Sequence, residues 1–304
     1  MATPMNSSQF RVIVEPIMAD AFDGVYEQRK DEYKQVFAEK QGTARAYHEE
    51  PVLYGLGAAP QMPDGTPVTY RSGGVLFNKR YTYDVYGLAF AMTKVLVEDG
   101  DHIQLGRIYS EQLAQALVET REVTAANILN RAFNGSFLGG DGQSLVSTAH
   151  PILGGTYSNQ LTTAAAFSQT SLESLLIQIR KAVDNDRKAA KVLPECLIVS
   201  PENMFQAEVV LKSVLNSGNA NNAINPIKSM GALDKGAVVL SRLTSTTAWW
   251  VKTNERMGLQ CLNRRKMEKS MEGDFETDSM RYKATERYTF GWTNPRTVFG
   301  TAGV

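Results

Sequence analysis

The side chains that could act as nucleophile, base or metal ligand are few and far apart in this sequence. The three histidines are His48, His102 and His150, and none has a cysteine or carboxylate at metal-ligand spacing. Ser147 lies close to His150, but a serine and a histidine three residues apart in a glycine-rich stretch do not form a catalytic triad. We therefore interpret His150 as a structural loop residue that hydrogen-bonds to backbone.

The cysteines and glycines give no sign of catalysis either. Cys196 and Cys261 form no disulfide framework, and Cys196 lies in the apolar run 196–199, which predicts a buried free thiol. The glycine pairs match neither a Walker loop nor the dinucleotide-binding fingerprint. The sequence predicts that the protein is not an enzyme and that it uses no metal or other cofactor.

Charged side chains concentrate near the C-terminal end. Carboxylates alternate there along one extended segment, which places them on one face of a strand. They are Glu272, Asp274, Glu276 and Asp278. A basic patch, interleaved with acidic residues, precedes them and contains Arg264, Arg265, Lys266 and Lys269. Both groups are predicted to be solvated, and in an assembly the carboxylates would meet arginine or lysine of a neighbouring subunit.

The composition is that of an ordinary soluble globular chain. It has 304 residues, of which 43% are hydrophobic and 21% are charged, so it can bury a full core. The formal net charge of +0 argues against a protein that holds nucleic acid through bulk charge, and it tolerates self-association. Residues 1–10 lack the apolar core of a signal peptide, and no apolar run approaches the ~20 residues of a membrane span. We expect a protein that folds in a reducing cytoplasm and does not enter a membrane.

The first part of the chain predicts a helix followed by an extended hairpin. Apolar residues at helical spacing predict a helix from Asp20 to Lys40. Residues 49–74 are rich in glycine and proline, and strand-forming residues follow as far as Val97. Together these pieces predict a hairpin with a glycine-rich tip that is held away from the body of the protein.

The strongest predicted helix runs from Asp99 to Phe133, with Asp101 as its N-cap and a length of ~45 Å. Its predicted apolar side contains Leu105, Ile108, Tyr109, Leu113, Leu117, Thr124 and Ile128. A single helix of this length commonly forms a spine against which a sheet packs.

The second part of the chain has an α/β pattern that begins after a loop-rich stretch at 137–167. The predicted elements are a helix over 170–185, strands over 193–200, 237–240 and 248–251, and a helix that begins at Pro201. Pro201 suits a first helical position, and the Ser200 hydroxyl is the expected cap. Trp249 and Trp250 lie in a strand pattern, which predicts that they belong to the core.

The last thirty residues contain a polar turn at 273–279 and then aromatic residues that alternate with charged ones as far as Arg296. An arginine- and aromatic-rich strand of this kind suits a subunit that completes a sheet and presents its outer face to neighbours.

The order of these parts resembles that of the Hong Kong 97-type major capsid proteins of tailed bacteriophages, and the Mu-like head subunit is the type it resembles most. The stretches that carry the resemblance are 141–151 after the long helix, 194–202 at a strand-to-helix junction, 219–226 in an asparagine-rich loop and 273–278 before the final strand. Each is built from common turn and cap residues, so their order along one chain is what supports the assignment. The resemblance covers the whole chain and implies an α+β capsid fold.

The parts of that fold are an N-arm, an extended E-loop hairpin, a P-domain with a long spine helix, and an α/β A-domain. The boundaries implied here are 1–48 for the N-arm, 49–98 for the E-loop hairpin and its base strands, 99–168 for the P-domain with the spine helix, 169–262 for the A-domain and 263–304 for the C-terminal P-domain strands. In the family, A-domains meet around ring axes and E-loops overlap adjacent subunits. We therefore expect residues 49–80 to be poorly ordered in an isolated subunit and to become ordered on assembly.

The resemblance also implies a function and a set of partners. The protein is expected to assemble into the icosahedral head that encloses phage double-stranded DNA, in the virion, after assembly in the cytoplasm of a bacterial host. Its expected partners are copies of itself in hexamers and pentamers, scaffold, portal and decoration proteins, and DNA that is confined without sequence-specific binding. The predicted assembly contacts are Gly65, Arg71, Gly73, Gly74, Asn221, Asn222, Asn225, Asp274, Glu276 and Asp278.

Other functions remain open at this point. An encapsulin, the shell protein of a cellular nanocompartment, shares the fold and encloses an enzyme cargo instead of a genome. A small-molecule enzyme would use the glycine-rich segment as a lid over the α/β part, but it needs a convergent acid, base or metal set that the sequence does not offer. A tail or adhesion component is disfavoured by the long helix.

Overall fold

The structure is a computed structural model that describes residues 7–28, 31–93, 102–215, 224–274 and 279–304. The helices are α1 (Ser7–Gln28), α2 (His102–Asn130), α3 (Gln169–Arg180), α4 (Met204–Lys212) and α5 (Pro226–Ser229). The strands are β1 (Ala38–Gln41), β2 (Tyr47–Tyr54), β3 (Gly74–Thr82), β4 (Asp84–Thr93), β5 (His150–Ile152), β6 (Gly155–Tyr157), β7 (Pro194–Val199), β8 (Ala237–Val239), β9 (Trp249–Thr253), β10 (Leu259–Asp274), β11 (Ser279–Trp292) and β12 (Val298–Thr301).

The first sheet has the strand order β1-β10-β11-β4. Strands β10 and β11 form one long antiparallel hairpin, and β4 pairs antiparallel with β11 along its outer side. Along β11, Tyr282, Ala284, Glu286, Tyr288 and Phe290 are buried while the residues between them are more exposed. This period of two is the pattern expected of a strand with one face against a core, and it confirms the aromatic strand predicted near the C-terminal end.

The long helix α2 packs against this sheet together with α1. Within the described residues it runs from His102 to Asn130, which confirms the predicted spine helix there, whereas Asp101 lies outside the described residues. Leu113 and Leu117 are buried as predicted, but Ile108 and Tyr109 are exposed. Near that end a small residue, Gly106, faces helix α1, because a Cβ there would overlap the terminal methyl group of Met18. The apolar spacing alone did not reveal that small residues allow this close approach.

The second sheet has the order β12-β9-β7-β8 and is covered by helices α3 and α4. Its central strand β7 is fully buried from Cys196 to Val199, so the predicted buried thiol is confirmed. Trp249 and Trp250 are buried on β9, as predicted for core residues. The final strand β12 pairs with β9. It therefore lies in this sheet, although it follows the long C-terminal hairpin directly in sequence.

The helix predicted from Asp20 to Lys40 was wrong in extent. Helix α1 ends at Gln28, a 3₁₀ turn covers Tyr33–Gln35, and β1 pairs in parallel with β10. The apolar residues that suggested a helix instead fill a corner of the core. The rings of Tyr33 and Phe37 pack edge-on against Phe290, with centroids 5.3 and 5.2 Å away. Tertiary packing has overridden local periodicity here.

The predicted hairpin is shorter than expected. Strands β2 and β3 form a separate two-stranded antiparallel sheet, with Tyr47 opposite Thr82 and Tyr54 opposite Gly74. Strand β4 joins the first sheet, so the hairpin ends at Thr82, and residues 94–97 of the predicted hairpin lie outside the described residues.

The prediction that the Ser200 hydroxyl caps the following helix was also wrong. The buried hydroxyl donates to the Thr246 carbonyl at 3.4 Å and makes no capping hydrogen bond. A 3₁₀ turn from Pro201 to Asn203 precedes helix α4.

In the part of the chain that the structure describes, no helix has the length and apolar character needed to cross a membrane.

Candidate assembly surfaces

The loop at the tip of the β2–β3 hairpin, residues 55–73, is the most exposed part of the described chain. Every residue from 58 to 73 is exposed, although several are apolar. The exposed apolar side chains are Leu56, Met62, Val68 and Tyr70, the last with 94% of its surface accessible. An exposed apolar segment of this kind is typical of a surface that binds another chain.

The loop has a defined turn at its tip. The Thr66 N–H and hydroxyl both donate to the Pro63 carbonyl, at 3.2 and 2.7 Å. Gly65, one of the predicted contacts, occupies this turn with φ +77°, a conformation that other residues rarely adopt. Asp64 precedes it and is exposed. The turn therefore presents a carboxylate at the end of the loop.

The other predicted contacts in this region lie where the two arms of the loop approach each other. A Cβ at Gly73 would lie 2.9 Å from the Tyr54 carbonyl oxygen, and one at Gly57 would lie 2.7 Å from Arg71 Nη1. Gly74 begins β3 directly opposite Tyr54. These residues close the loop, and Arg71 remains exposed.

The loop end of the hairpin, at Leu53 and Gly55, is attached to a turn of the α/β part. Asn185 Nδ2 donates to the Leu53 carbonyl at 2.7 Å, and the Gly55 N–H donates to Asp186 Oδ1 at 2.9 Å. Arg296 Nη1 in turn donates to Asn185 Oδ1 at 2.7 Å, and its Nε donates to the Val183 carbonyl at 2.7 Å. The buried Arg296 thus links the C-terminal segment to the hairpin through Asn185.

A buried polar cluster forms a second attachment. Glu50 is 6% exposed and accepts hydrogen bonds from Gln260 Nε2 at 2.6 Å and Thr293 Oγ1 at 2.5 Å. Lys40 Nζ and His48 Nε2 lie 3.4 and 3.3 Å from its other oxygen. Burial alone would raise the pKa of Glu50, but hydrogen bonds from Thr293 and Gln260 and the Lys40 charge outweigh burial and lower it. The carboxylate is therefore held ionised at the base of the hairpin.

The prediction that the His150 side chain hydrogen-bonds to backbone was wrong. Its ring contacts two side chains instead. Its Nδ1 lies 2.6 Å from Asp141 Oδ2 and its Nε2 lies 3.0 Å from Asn159 Oδ1. Asn159 Nδ2 donates to the carbonyl groups of Leu145, Pro295 and Val298. Both His150 and Asn159 are fully buried. This cluster holds the segment after the spine helix against the C-terminal segment.

The α/β part has an exposed apolar surface of its own, formed by Phe205, Val209, Ile224 and Met230. Asn225, predicted to be a surface contact, is instead fully buried. Its Nδ2 donates to the Val210 carbonyl at 2.7 Å and its Oδ1 accepts from the Ile227 N–H at 3.0 Å. A direct contact role for Asn225 is therefore wrong, because its amide caps α5 and closes a loop of its own subunit. Asn221 and Asn222 lie outside the described residues.

The charged C-terminal groups are placed only in part. Asp274 is the last residue of β10, and only its backbone is described. Glu276 and Asp278 lie outside the described residues. Two members of the basic patch are paired within the subunit, since Lys269 Nζ lies 2.6 Å from Asp23 and Arg265 lies 3.1 Å from Glu268.

The described residues bring no catalytic or metal-binding set together. A groove of about 740 Å³ beside α3 is lined by hydroxyl and apolar side chains with Lys181, and its described lining has no carboxylate or imidazole. Among the described residues, no group of three or more His, Cys, Asp and Glu side chains is arranged to hold a metal ion.

Comparison with known proteins gives one family and a set of solved structures. A profile described as phage capsid protein matches residues 78–300. The capsid of cyanophage P-SCSP1u is 14% identical with a TM-score of 0.54, covering 88% of this chain and 86% of that one. The mature capsid of bacteriophage PhiM1 is 13% identical with a TM-score of 0.54, covering 90% and 87%. A virus-like particle from Pyrococcus furiosus is 11% identical with a TM-score of 0.53, covering 94% and 98%. No curated protein sequence matches the chain.

Proposed function

The chain belongs to the phage capsid protein family and has the Hong Kong 97-like α+β fold, and we propose that it is the major head protein whose copies form an icosahedral shell around phage double-stranded DNA. Copies of the chain assemble with one another into a shell, and the protein is part of the virion. The match from residue 78 to residue 300 carries the proposal, because it runs from the base of the hairpin to the final strand.

The exposed loop supplies the physical reason for assembly. Its apolar side chains, Leu56, Met62, Val68 and Tyr70, are exposed in the isolated subunit. In the proposed shell they are buried against an adjacent subunit, and head-to-tail contacts of this type close into rings of five and six. Gly65, Arg71, Gly73 and Gly74 shape the loop for this contact. Strands β2 and β3 are already paired, so we narrow the segment that orders on assembly to residues 55–73.

The remaining contacts are assigned to other surfaces. The surface around Phe205 and Met230 is proposed to face the ring axis, and Asn221 and Asn222 remain proposed contacts. The segment from Asp274 to Asp278 is proposed to meet basic side chains of a neighbour. The proposed parts are the N-arm (1–48), the E-loop hairpin with its base strands (49–98), the P-domain with the spine helix (99–168), the A-domain (169–262) and the C-terminal P-domain strands (263–304), with β12 paired into the A-domain sheet.

Further partners follow from the same proposal. A near-neutral chain suits a shell that confines DNA on its inner face without gripping it. Scaffold, portal and decoration proteins complete the head, and assembly takes place in the cytoplasm of a bacterial host. The Mu-like type of head subunit is part of this proposal. The subunit is proposed to have no catalytic role.

Electron microscopy of the expressed protein, alone and with its neighbouring genes, tests the proposal. Closed polyhedral shells, tubes or five- and six-membered rings are the expected products. A protein that stays monomeric under every condition would contradict it. The encapsulin alternative predicts closed shells that contain a protein cargo and no nucleic acid, so absorbance at 260 and 280 nm and gel analysis of purified particles distinguish the two functions.

A further inference from the structure

A cavity at the base of the hairpin is rich in positive charge. It has a volume of about 390 Å³ and lies between β3, the end of the spine helix and β11. Its lining includes the cations Lys79, Arg80 and Arg131 and the aromatic rings of Phe137 and Trp292. No carboxylate is found among the described lining residues, so a negatively charged occupant is the natural complement of this cavity.

Two of these cations have no anionic partner among the described residues. Lys79 Nζ lies 4.8 Å from the centre of the Trp292 ring and 3.4 Å from the Leu138 carbonyl oxygen. Arg131 lies over the Phe137 ring at 4.3 Å. Arg80, in contrast, is paired with Glu49 at 2.8 Å. Burial lowers the pKa of Lys79 and the charge of Asp141 offsets this only in part, so a further carboxylate close to Lys79 would stabilise its charged form.

The indole ring of Trp292 forms part of the wall of the same cavity and is only 8% exposed. The face of this ring attracts the Lys79 cation, which lies 4.8 Å from the ring centre. A carboxylate that enters the cavity would meet the two cations beside this apolar wall, with charge-assisted contacts that are stronger than neutral ones. The cations therefore point to an anionic ligand.

The loop tip carries a carboxylate of the right kind. Asp64 is exposed and forms no hydrogen bond or ion pair with the described residues, and it does not line the cavity of its own subunit. The neighbouring Met62 is exposed, and a thioether packs favourably on aromatic rings such as those in the cavity. Asp64 lies nine residues from each end of the loop, and nine extended residues span ~30 Å, enough to cross onto an adjacent subunit.

We propose that Asp64 at the loop tip of one copy binds in the cavity of a second copy, where it pairs with Lys79 and Arg131 beside the Trp292 ring. This inference rests on the proposed shell function and specifies one of its contacts. The aspartate neutralises two cations that the isolated subunit leaves unpaired, and Met62 packs on the aromatic wall. The contact also fixes which part of the neighbour the loop reaches.

A double-mutant cycle on assembly tests the pairing. Asp64→Asn and Lys79→Met remove the two charges at similar size, and the threshold concentration for shell formation is measured by light scattering and electron microscopy. Each single change should raise the threshold at least about fivefold, and the double variant should be little worse than either one, because the pair is lost only once. Asp234→Asn, at an exposed site of the α/β part, is the matched control and should leave the threshold unchanged.

The pairing would be overturned if the single variants assemble like the wild type. It would also be overturned if the effects of Asp64→Asn and Lys79→Met on the threshold concentration simply add. In both cases wild-type shells would still support the shell function. A wild-type protein that forms no shell would instead contradict the shell function itself. If Lys79→Met fails to fold, Arg131→Gln at an exposed site replaces it in the cycle.

Disulfide trapping gives a second measurement. Met62→Cys with Leu138→Cys should give crosslinked multimers in oxidised shells, since both native cysteines are buried. Shells without such crosslinks would count against the inference.

Discussion

Arg296 and Asn185 meet in the interior of the protein, where Arg296 Nη1 donates to Asn185 Oδ1 at 2.7 Å. The same Asn185 side chain donates through Nδ2 to the Leu53 carbonyl on the hairpin, also at 2.7 Å. One side-chain amide therefore connects the C-terminal segment with the hairpin, because its oxygen accepts from Arg296 and its nitrogen donates to Leu53. A hairpin that carries an exposed loop needs such an attachment, because few of its own side chains are buried.

Asn185→Asp should loosen the hairpin without unfolding the body. The aspartate keeps the acceptor for Arg296 but replaces the donor to Leu53 with a second oxygen, so the hairpin loses one hydrogen bond worth ~1 kcal/mol. Hydrogen exchange at the Gly55 amide, which is held by the next residue Asp186, should become faster. The urea midpoint of the whole subunit should shift little. Unchanged exchange at Gly55 would show that the attachment does not depend on Asn185.

Glu50 should make stability depend on acid pH. Its pKa is lowered in the folded protein, so its ionised form stabilises the fold above the unfolded-state value of about 4.5, and this contribution is lost as pH falls through the lower folded-state value. The free energy of unfolding of the wild type should therefore fall more steeply below pH ~4.5 than that of Glu50→Gln. Urea titrations of both proteins at pH 7, 5, 4 and 3 measure the difference. Parallel pH profiles would contradict the prediction.

Asn159→Ala should be among the most destabilising single substitutions. It removes the donor to three carbonyl groups and the acceptor for His150 Nε2, all in the interior. Unsatisfied buried groups of this kind cost ~1–3 kcal/mol each, so we expect a loss of several kcal/mol or failure to fold. Ser158→Ala, next in sequence, removes a hydroxyl that donates to the Gln160 carbonyl and accepts from the Gln160 N–H, and it is the matched control. Chemical denaturation of the two variants compares them, and equal stability would refute the role of Asn159.

Much of the fold could be predicted because its elements are encoded locally. The spine helix has apolar residues at helical spacing, and β11 alternates over its length, so both patterns are visible in one short window. The segment from Tyr33 to Phe37 was misread, because its apolar residues pack against Phe290 far along the chain. Local spacing cannot distinguish that arrangement from a helix.

The residues that attach the hairpin could not be found from the sequence. Glu50 interacts with Gln260 and Thr293, more than two hundred residues away, and Asn185 interacts with Leu53 and Arg296. Each is a common polar residue whose meaning depends on distant partners. For Asn225 the sequence suggested a role that the structure does not support. The residue lies in an asparagine-rich segment that suggested a surface contact, yet its side chain is buried and hydrogen-bonded within the subunit.

Replacing residues 55–73 with Asn-Gly should separate folding from assembly. Tyr54 and Gly74 are directly paired, and a two-residue Asn-Gly turn joins paired antiparallel strand ends without strain. The loop contributes no buried side chain from 58 to 73, so the thermal midpoint of the subunit should change by only a few degrees. Shell formation should be lost, because the apolar contacts with the neighbour are gone. Circular dichroism and electron microscopy measure the two outcomes.

The matched control for this replacement keeps the loop at full length and changes Leu56, Met62, Val68 and Tyr70 to serine. Its subunit should fold as well as the wild type, since all four side chains are exposed. Assembly should be weakened nearly as much as by removal of the loop, because burial of apolar surface is the main favourable term in association. If this variant assembles normally while the shortened one does not, the backbone and charges of the loop hold the shell together, and the apolar side chains do not.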